Sequence, residues 1–391
     1  MKFQIRVILI RKMKRIVFID AVWKARTEQF MLDRVLYDNM KFSIGDILTI
    51  ECEKGKNQRG TDVWIINDIL DSKEPQLRPS FSLNMIDSLK RRQFLRAVLG
   101  RDNLLVWRFR QTLVRDISRY LWDSGLVQVD TNALMVNRGT STAIPIRCNG
   151  GHIEQRFLKI THEVELKKIA LTTMNSVFDF SHAFRDTYDT VFRTDEIMML
   201  EGVLIEKDVR VLSRIVLDIL EIARNVANEI GVPYLKDFDN VSVIDFDKVE
   251  RTPGKSAEET YQDYISGIVT PTLICNAPIN SPFVLKNNGR CVETIIYARN
   301  EFKEADRSKR VTSFYHGYED ETAYASINES FLLQKMRLKA LGIDADLPKD
   351  YLEMLQYGSP GTISFGFGFD RFLAIFLDLP SIQEIIHVIG L

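Results

Sequence analysis

The chain has 391 residues, of which 45% are apolar and 27% charged, and this suits a globular protein of about two domains. Its formal net charge of −1 excludes a global positive field for nucleic acid, although a local basic face is compatible with it. The four cysteines are scattered and show no zinc-binding spacing, which predicts reduced thiols. The sequence shows no secretory signal and no apolar run of roughly 18 residues, which predicts a soluble, cytoplasmic protein with no membrane partner.

Residues 1–75 carry β-branched and aromatic residues in partial alternation, a pattern typical of short strands. The stretches IGDILTIECEK and TDVWIINDIL, which GKNQRG separates, predict a hairpin with a glycine-containing loop. About five strands in this length favour a small barrel of the oligonucleotide-binding type, although a sandwich or a plain β appendage has the same pattern. Residues 71–82 contain two prolines and little periodicity, and they predict a linker.

The remainder of the chain mixes amphipathic helices with strands. An i, i+4 apolar spacing predicts one long helix over residues 104–124, which Gly125 ends, and residues 127–136 follow as a strand. Strands accompanied by segregated helices, rather than strict βαβ alternation, predict an antiparallel α+β domain. The further predicted helices are 160–173, 208–231, 330–343, 349–358 and 371–380, and the further strands are 176–185, 196–207 and 361–370.

Two short stretches place arginines beside apolar strands. In FDFSHAFRDTYDTVFRTDEIMMLEG (178–202), Arg185 and Arg193 stand eight residues apart among aromatic and acidic residues. In SFGFGFDR (364–371), glycines alternate with aromatic residues up to Arg371, at the start of a predicted helix. A guanidinium binds two oxygens at once and stays charged, so these arginines suit a phosphate or a carboxylate ligand.

The order of these features resembles the class II aminoacyl-tRNA synthetases, in the lysine, aspartate and asparagine subgroup, and the lysine enzymes most closely. A small barrel precedes a helix–glycine–strand segment, a strand–loop–strand segment with Phe-Arg, and a glycine-rich strand that leads into a helix. The resemblance covers almost the whole chain. It implies an OB-type barrel at 1–75, a linker at 76–90, and at 91–391 a catalytic domain with an antiparallel sheet flanked by helices.

The resemblance implies a role for each of the two arginine stretches. Arg185 matches the arginine that binds the α-phosphate of ATP and the amino-acid carboxylate, and Arg193 matches the loop residue that reaches the γ-phosphate. Gly366 and Gly368 match glycines that let the backbone approach adenine. Arg371 matches the arginine that holds the outer phosphates. The expected ATP site consists of these five residues, with Arg185 and Arg371 as the catalytic pair.

Five positions depart from the family pattern. Thr187 stands where the family has a glutamate, and Ile197 stands where a phenylalanine stacks on adenine. Ser364 replaces the first glycine of the third motif, Asn132 replaces a proline of the first motif, and Val203 replaces an aromatic residue near the amino-acid pocket. Loss of the carboxylate and of the ring is expected to weaken nucleotide binding by roughly 1–3 kcal/mol each.

Two acidic segments match the amino-acid pocket and the metal site of the resembled family. Glu163, Glu201 and Asn300 match residues of the amino-acid pocket, and the two glutamates have a simpler interpretation in which they face solvent or each other. Glu293 and Glu304 match acids that bind Mg²⁺. A few residues, including another metal-binding glutamate, are missing from this segment.

The resemblance implies an enzyme that activates an amino acid, lysine-like by the match of Glu163 and Glu201, with ATP and transfers it to tRNA, which the barrel would bind. The first-motif helix implies a homodimer. Two other classes share the pattern: a paralogue that passes the adenylate to a small molecule or a protein amine, and a non-catalytic relative that binds RNA, an amino acid or a protein. His162 and His182 match no functional group, and we expect them to be structural.

The two catalytic arginines also have a simpler structural interpretation. Arg185 would form a surface ion pair with Asp186 or Asp189, and such pairs contribute little to stability. Arg371 would pair with Asp370 at the start of its helix. The position of each carboxylate decides between the two interpretations.

Overall fold

The computed structural model forms two compact units, of which the first is built mainly on Met1–Arg108 and the second on Phe109–Ile386. No helix in the described part of the chain is long and apolar enough to cross a membrane. The described residues are 1–24, 26–57, 60–75, 104–136, 143–150, 153–187, 193–205, 210–268, 270–277, 291–297, 310–311, 318–319, 349–358, 360–379 and 382–386.

Five strands of the first unit close into a barrel, which confirms the fold predicted for this part of the chain. Helix α1 (Arg34–Met40) joins the third strand to the fourth and begins where the Asp33 carboxylate accepts a hydrogen bond from the backbone N–H of Val35 at 2.7 Å. Inward apolar side chains fill the barrel, as the alternation requires. The strands are β1 (Lys2–Lys12), β2 (Ile16–Trp23), β3 (Arg26–Asp33), β4 (Ile47–Lys56) and β5 (Asp62–Lys73), in the order β1-β2-β3-β5-β4.

The segment predicted as a linker, residues 71–82, begins as part of a strand. Strand β5 continues to Lys73, which pairs with Ile47 at the start of β4. Asp71, Ser72 and Lys73 are exposed, so the end of this strand shows no apolar periodicity and the backbone ladder alone defines it. Residues 76–90 lie outside the described residues.

The helix predicted over residues 104–124 is present as α2 (Leu104–Asp123). It ends at Gly125, whose φ of 89° lies in the left-handed region that glycine adopts at little cost. Within the second unit, one stripe of α2 is fully buried at i, i+4 spacing, as the sequence predicts. This stripe consists of Phe109, Leu113, Ile117 and Leu121.

The single strand predicted at 127–136 is wrong in its extent. The chain forms two strands of two residues each, β6 (Val127–Gln128) and β7 (Leu134–Met135), and they belong to different sheets. Between them, the backbone N–H and the hydroxyl of Thr131 both donate to the carboxylate of Asp179, at 3.2 and 2.6 Å. Strand pairing is interrupted here, and a buried carboxylate accepts hydrogen bonds from the polar groups of Thr131.

Three sheets and the helices between them form the described part of the second unit. The main sheet has the order β16-β17-β11-β10-β6 and is antiparallel except for the pair of β6 and β10, so the predicted α+β class is confirmed. The helix predicted at 330–343 lies outside the described residues.

The strands are β8 (Arg147–Gly150), β9 (Ile153–Leu158), β10 (Val177–Phe184), β11 (Glu196–Ile205), β12 (Ser242–Asp245), β13 (Thr272–Ala277), β14 (Cys291–Tyr297), β15 (Arg310–Val311), β16 (Tyr318–Glu319) and β17 (Thr362–Gly368). The helices are α3 (Glu163–Thr173), α4 (Arg210–Ile230), α5 (Ala257–Ser266), α6 (Lys349–Gln356), α7 (Phe369–Phe376) and α8 (Gln383–Ile386), with 3-10 turns at Lys236–Asp239 and Phe246–Lys248.

The register of the main sheet separates an apolar face from a polar one. Phe178 of β10, Gly202 of β11 and Phe365 of β17 are paired in one row, and a Cβ at Gly202 would lie 2.5 Å from the Phe365 ring. Glycine is therefore required for this ring to pack. The adjacent row, which faces the other way, holds Asp179, Glu201 and Gly366. The polar face of the sheet therefore holds two of the buried or candidate acidic groups, Asp179 and Glu201.

Candidate active site

A buried glutamate lies at the centre of the polar face. Glu201 is 4% exposed, and its carboxylate accepts hydrogen bonds from the Thr161 hydroxyl at 3.0 and 3.1 Å and from the backbone N–H of His162 at 2.7 Å. Burial raises the pKa of Glu201, whereas these donors and the charge of Arg185 lower it. Glu201 is thus enclosed by protein, and the solvent-facing interpretation does not apply to it.

A second glutamate, Glu163, opens helix α3 beside Glu201. Its Oε1 accepts a hydrogen bond from the Ser364 hydroxyl at 3.0 Å and lies 3.3 Å from the ammonium of Lys167, one turn along the helix. Burial raises the pKa of Glu163, the Lys167 charge opposes that effect, and the charge of Glu201 adds to it. Ser364, where the resembled family has glycine, therefore contributes a hydroxyl to this acidic pair.

Arg185 follows the last residue of β10, and its backbone N–H donates to the carbonyl of Asp195 at 2.8 Å, which closes the hairpin. Its Nη2 donates to the carbonyl of Ile160 at 3.3 Å, and its Nε is buried without a partner. Burial lowers the pKa of Arg185, and the charge of Glu201 partly offsets that effect. Among the described residues, no carboxylate lies within ion-pairing distance of this guanidinium; Asp186 is exposed and Asp189 is outside the described part. A buried cation with an unused donor suits an anionic ligand.

Arg371, in the first turn of α7, comes close to the other two arginines. Burial lowers its pKa to about 10, and repulsion from Arg185 and Arg193 contributes to that decrease. Arg193 is exposed at the end of the loop between β10 and β11. The three guanidinium groups come from two separate motifs and repel one another, so an anion between them would relieve that repulsion.

The simpler interpretation of Arg371 does not hold, because Asp370 has other partners. The Asp370 carboxylate accepts a hydrogen bond from the backbone N–H of Met198 at 2.7 Å and pairs with the guanidinium of Arg110 at 3.1 Å. This carboxylate is 1% exposed and lies beneath the sheet. Asp370 therefore pairs with Arg110, while its neighbour Arg371 lies near Arg185 and Arg193. Asp370 anchors the start of α7 to β11 and α2.

The glycines of β17 keep the polar face open. A Cβ placed on Gly366 would lie 3.8 Å from Cγ and Oε1 of Glu201, so a longer side chain would cover this carboxylate. Gly368 pairs with Met199 and precedes α7 with a φ of −71°. Since neither glycine has a positive φ, the backbone conformation does not require glycine here, and the open surface is what glycine provides.

Similarity to known proteins identifies the family of this chain. The family of class II tRNA synthetases (D, K and N) matches residues 88–388, which is most of the chain. The chain belongs to this family. Lysine–tRNA ligases of Malacoplasma penetrans and Campylobacter hominis are 22% and 25% identical to it, over 93% and 88% of this chain and 81% and 76% of theirs. The lysine–tRNA ligase of Saccharolobus solfataricus is 24% identical, over 71% of this chain and 63% of its own length.

The fold of this synthetase relative also matches a solved structure. Asparaginyl-tRNA synthetase from Pyrococcus horikoshii, complexed with asparaginyl-adenylate, aligns with a TM-score of 0.73 and covers 99% of this chain and 94% of its own. Sequence identity in this alignment is 12%, so it shows the fold alone. The predicted resemblance to the class II synthetases and the predicted fold, an OB-type barrel followed by a class II domain, are both confirmed.

One departure from the synthetase pattern has a structural consequence. Ile197, where the family has the stacking phenylalanine, is 5% exposed and packs in an apolar cluster with Ala183, Ile382 and Met199. Its side chain is therefore occupied by protein contacts. Thr187, where the family has glutamate, is half-buried, and nothing in the described residues explains this substitution.

The predicted metal segment lies largely outside the described residues. Glu293 belongs to β14, where its backbone pairs with Ile274, but its side chain is outside the described part, as are Asn300 and Glu304. The residues that the structure describes contain no group of three or more His, Cys, Asp or Glu that could hold a metal ion.

Sequence reasoning missed the polar groups that hold the two glutamates in place. Lys159 and Asp179 are almost fully buried on the polar side, and Thr161 supplies the hydroxyl to Glu201. An aspartate within the apolar strand FDF was the available signal. His162 is fully buried, and burial lowers its pKa to about 4, so the imidazole is neutral near pH 7 and its backbone N–H is the group in contact with Glu201.

Proposed function

We propose that this chain activates an amino acid with ATP, releases pyrophosphate, and transfers the aminoacyl group to tRNA, with lysine or a lysine-like amino acid as substrate. The observation that carries the proposal is that three arginines come close to one another and that one of them, Arg185, lies near the buried Glu201, which neighbours the half-buried Glu163. The relatives named as lysine–tRNA ligases support the substrate, and the neighbour complexed with an adenylate supports the reaction type.

The reaction needs no nucleophilic side chain from the protein. The carboxylate of the amino acid attacks the α-phosphorus of ATP, a P–O bond forms, and the bond to the β-phosphate oxygen breaks to release pyrophosphate. Arg185 would hold the α-phosphate and the amino-acid carboxylate, while Arg193 and Arg371 would hold the outer phosphates. Such fixed charges stabilise the transition state by positioning and by neutralising the charge that develops.

The two glutamates would read the amino groups of the substrate. Glu201 has two hydrogen-bond donors from the protein and a raised pKa, which an ammonium in the pocket would lower again. Glu163 would act with it, and Asn300 completes the proposed pocket. A lysine-like substrate carries two cations, and two neighbouring carboxylates, one buried and one half-buried, suit it better than they suit a substrate with an acidic side chain.

The barrel would bind the tRNA. A cleft of about 790 Å³ lies on its outer surface between the β1–β2 turn and the outward residues of β2 and β3. Arginine and lysine side chains beside an aromatic ring suit single-stranded RNA, because phosphates pair with the cations and bases stack on the ring. The lining includes Arg11, Lys14, Arg15, Phe18, Gln29 and Asn57.

A homodimer and a bound Mg²⁺ complete the proposal. Trp122 on α2 is 51% exposed, and Val127, Leu134 and Val136 in the following segment are exposed as well, which suits an apolar contact with a second copy. Glu293 and Glu304 would hold Mg²⁺ beside the phosphates. The proposed domains are the barrel at 1–75, the linker at 76–90 and the catalytic domain at 91–391.

The packing of Ile197 favours a second candidate function. Because this side chain is enclosed by Ala183 and Ile382, it offers no ring surface to adenine. The alternative is a paralogue with weak adenylate formation that passes the amino acid to an acceptor other than tRNA, or a relative that binds without catalysis.

The test is amino-acid-dependent ATP–pyrophosphate exchange with each standard amino acid and no tRNA. We expect exchange that is best with lysine or a close analogue, and a decrease of about 100-fold or more in Arg185→Ala and Arg371→Ala. Arg251→Ala is the matched control, since Arg251 is an exposed arginine on the loop before α5. Exchange with aspartate or asparagine alone would overturn the pocket assignment, and no exchange at any ATP concentration would leave the non-catalytic alternative. Labelling of added tRNA then separates the two acceptor classes.

A further inference from the structure

One short segment supplies contacts to both halves of the proposed amino-acid pocket. In residues 159–163, hereafter the 159–163 segment, the carbonyl of Ile160 accepts from Arg185, and Thr161 and His162 donate to Glu201. A displacement of this segment would therefore move the groups that hold the carboxylate-binding arginine and the amine-binding glutamate together.

Lys159, at the start of the 159–163 segment, is almost fully enclosed. Its side chain is 4% exposed, and its ammonium donates to the Thr131 carbonyl at 3.1 Å, the Thr131 hydroxyl at 2.8 Å and the Ser181 hydroxyl at 2.6 Å. All three protons of the ammonium therefore have acceptors. This cation joins the 159–163 segment to strand β10 and to the segment around Thr131, between β6 and β7.

The two hydroxyls extend this attachment to a buried carboxylate. Thr131 and Ser181 donate to Oδ2 of Asp179 at 2.6 and 2.7 Å, and the ammonium itself lies 3.7 Å from the same oxygen. Asp179 is paired with Glu201 across the sheet. The backbone adds a further link, because the N–H of Phe184 donates to the carbonyl of Lys159 at 2.7 Å, directly before Arg185.

We propose that Lys159 is the positioning residue of the amino-acid pocket, whose ammonium fixes the 159–163 segment so that Arg185 and Glu201 face the substrate. The kinetic part of this inference rests on the proposed function. Lys159 does not touch the substrate in this arrangement and acts through Ile160, Thr161 and His162.

The effect should be larger for the amino acid than for ATP, because Glu201 would contact the amino acid alone, whereas Arg185 would share ATP with Arg193 and Arg371. Arg185 and Glu201 both receive contacts from the 159–163 segment, whereas no contact among the described residues joins this segment to Arg193, and Arg371 belongs to α7. Misplacement of a binding group by about 1 Å costs on the order of 100-fold in rate. Loss of the ammonium is therefore expected to raise KM for the amino acid much more than KM for ATP.

The experiment compares Lys159→Met with Lys159→Arg, which keeps the charge, and with Lys168→Met as the matched control on α3. Lys168 pairs with Glu165 and Asp350, and in the described part of the chain it does not contact Arg185, Glu201 or Glu163. The first readout is amide hydrogen exchange in the free protein, followed in the peptide that covers the His162 N–H. We expect exchange there to rise about tenfold in Lys159→Met while the rest of the second unit is unchanged, with most of the protection restored in Lys159→Arg.

The second readout is ATP–pyrophosphate exchange kinetics. In Lys159→Met we expect KM for the amino acid to rise 10- to 100-fold and KM for ATP to change less than about threefold. Thr131→Val, which keeps the lysine and removes one of its acceptors, should give a smaller effect in the same direction. A uniform rise in hydrogen exchange across the second unit, or equal changes in both KM values, would overturn the proposal in favour of a purely structural role.

The two tests separate this inference from the proposed function. If the wild-type protein shows no pyrophosphate exchange with any amino acid, the proposed function fails, and hydrogen exchange at the His162 amide still decides whether Lys159 fixes the segment. If wild-type exchange is present and the Lys159→Met protein matches it in both KM values, the inference fails and the proposed function stands.

Discussion

Replacement of Arg110 by methionine removes the guanidinium that pairs with the buried carboxylate of Asp370. Asp370 is 1% exposed, and among the described residues it keeps one donor after this change, the backbone N–H of Met198 at 2.7 Å. Removal of one partner of a buried ion pair typically costs about 3–5 kcal/mol, because the remaining charge is left without compensation. The retained hydrogen bond and the similar apolar length of methionine place the expected loss near the lower end, at about 3 kcal/mol.

The pH dependence gives the sign of this effect. Burial raises the pKa of Asp370, and Arg110 lowers it again, so Arg110→Met moves the pKa further above the usual aspartate value. The carboxyl is then neutral below that raised pKa, and no charge is buried. The stability difference between wild type and variant should therefore be full near neutral pH and shrink as the pH falls through the raised pKa.

The assay is chemical denaturation at several pH values, with Arg115→Met as the control. Arg115 is an exposed arginine on the same helix and pairs with Asp116, so its loss should cost far less stability than the loss of Arg110 at every pH. The double variant Arg110→Met/Asp370→Asn should recover part of the lost stability, since the buried charge is gone. A loss in Arg110→Met that equals the control, or one that does not change with pH, would contradict the assignment of this ion pair.

Three further outcomes are expected from the described contacts. Ile197→Phe should destabilise the second unit by about 1–3 kcal/mol in denaturation experiments, because the apolar cluster around Ile197 is already packed. For the same reason the variant should not lower KM for ATP, and a lower KM would show that the ring reaches adenine. Trp122→Asp should convert the proposed dimer to a monomer in light scattering, and an unchanged mass would remove α2 from the proposed interface. Lys14→Ala/Arg15→Ala should reduce the magnitude of the slope of log Kobs against log salt concentration for RNA binding by roughly 1.4, because two phosphate contacts are lost. Lys73→Ala, on an exposed part of β5, should leave this slope unchanged.

The sequence by itself determined the order of the elements and the identity of the charged groups. Strands with inward apolar alternation predicted the barrel, and the i, i+4 stripe with Gly125 predicted α2 to within a residue. Both patterns are local, since side-chain periodicity follows from backbone geometry. The resemblance selected Arg185, Arg193 and Arg371, and the structure brings them close to one another although Arg193 and Arg371 are far apart in the chain.

Only the tertiary structure decided what each charged group contacts. The sequence left Arg371 the option of pairing with Asp370, and the fold excludes it because α7 turns Asp370 beneath the sheet toward Arg110. The strand predicted at 127–136 is interrupted around Thr131, whose hydroxyl donates a hydrogen bond to Asp179 of strand β10 instead of facing a strand neighbour. The role inferred for Lys159 depends on three acceptors from two segments, and no periodicity in the sequence places them together. Partners of buried polar groups follow from how distant segments meet, and for that reason they could not be predicted from local pattern.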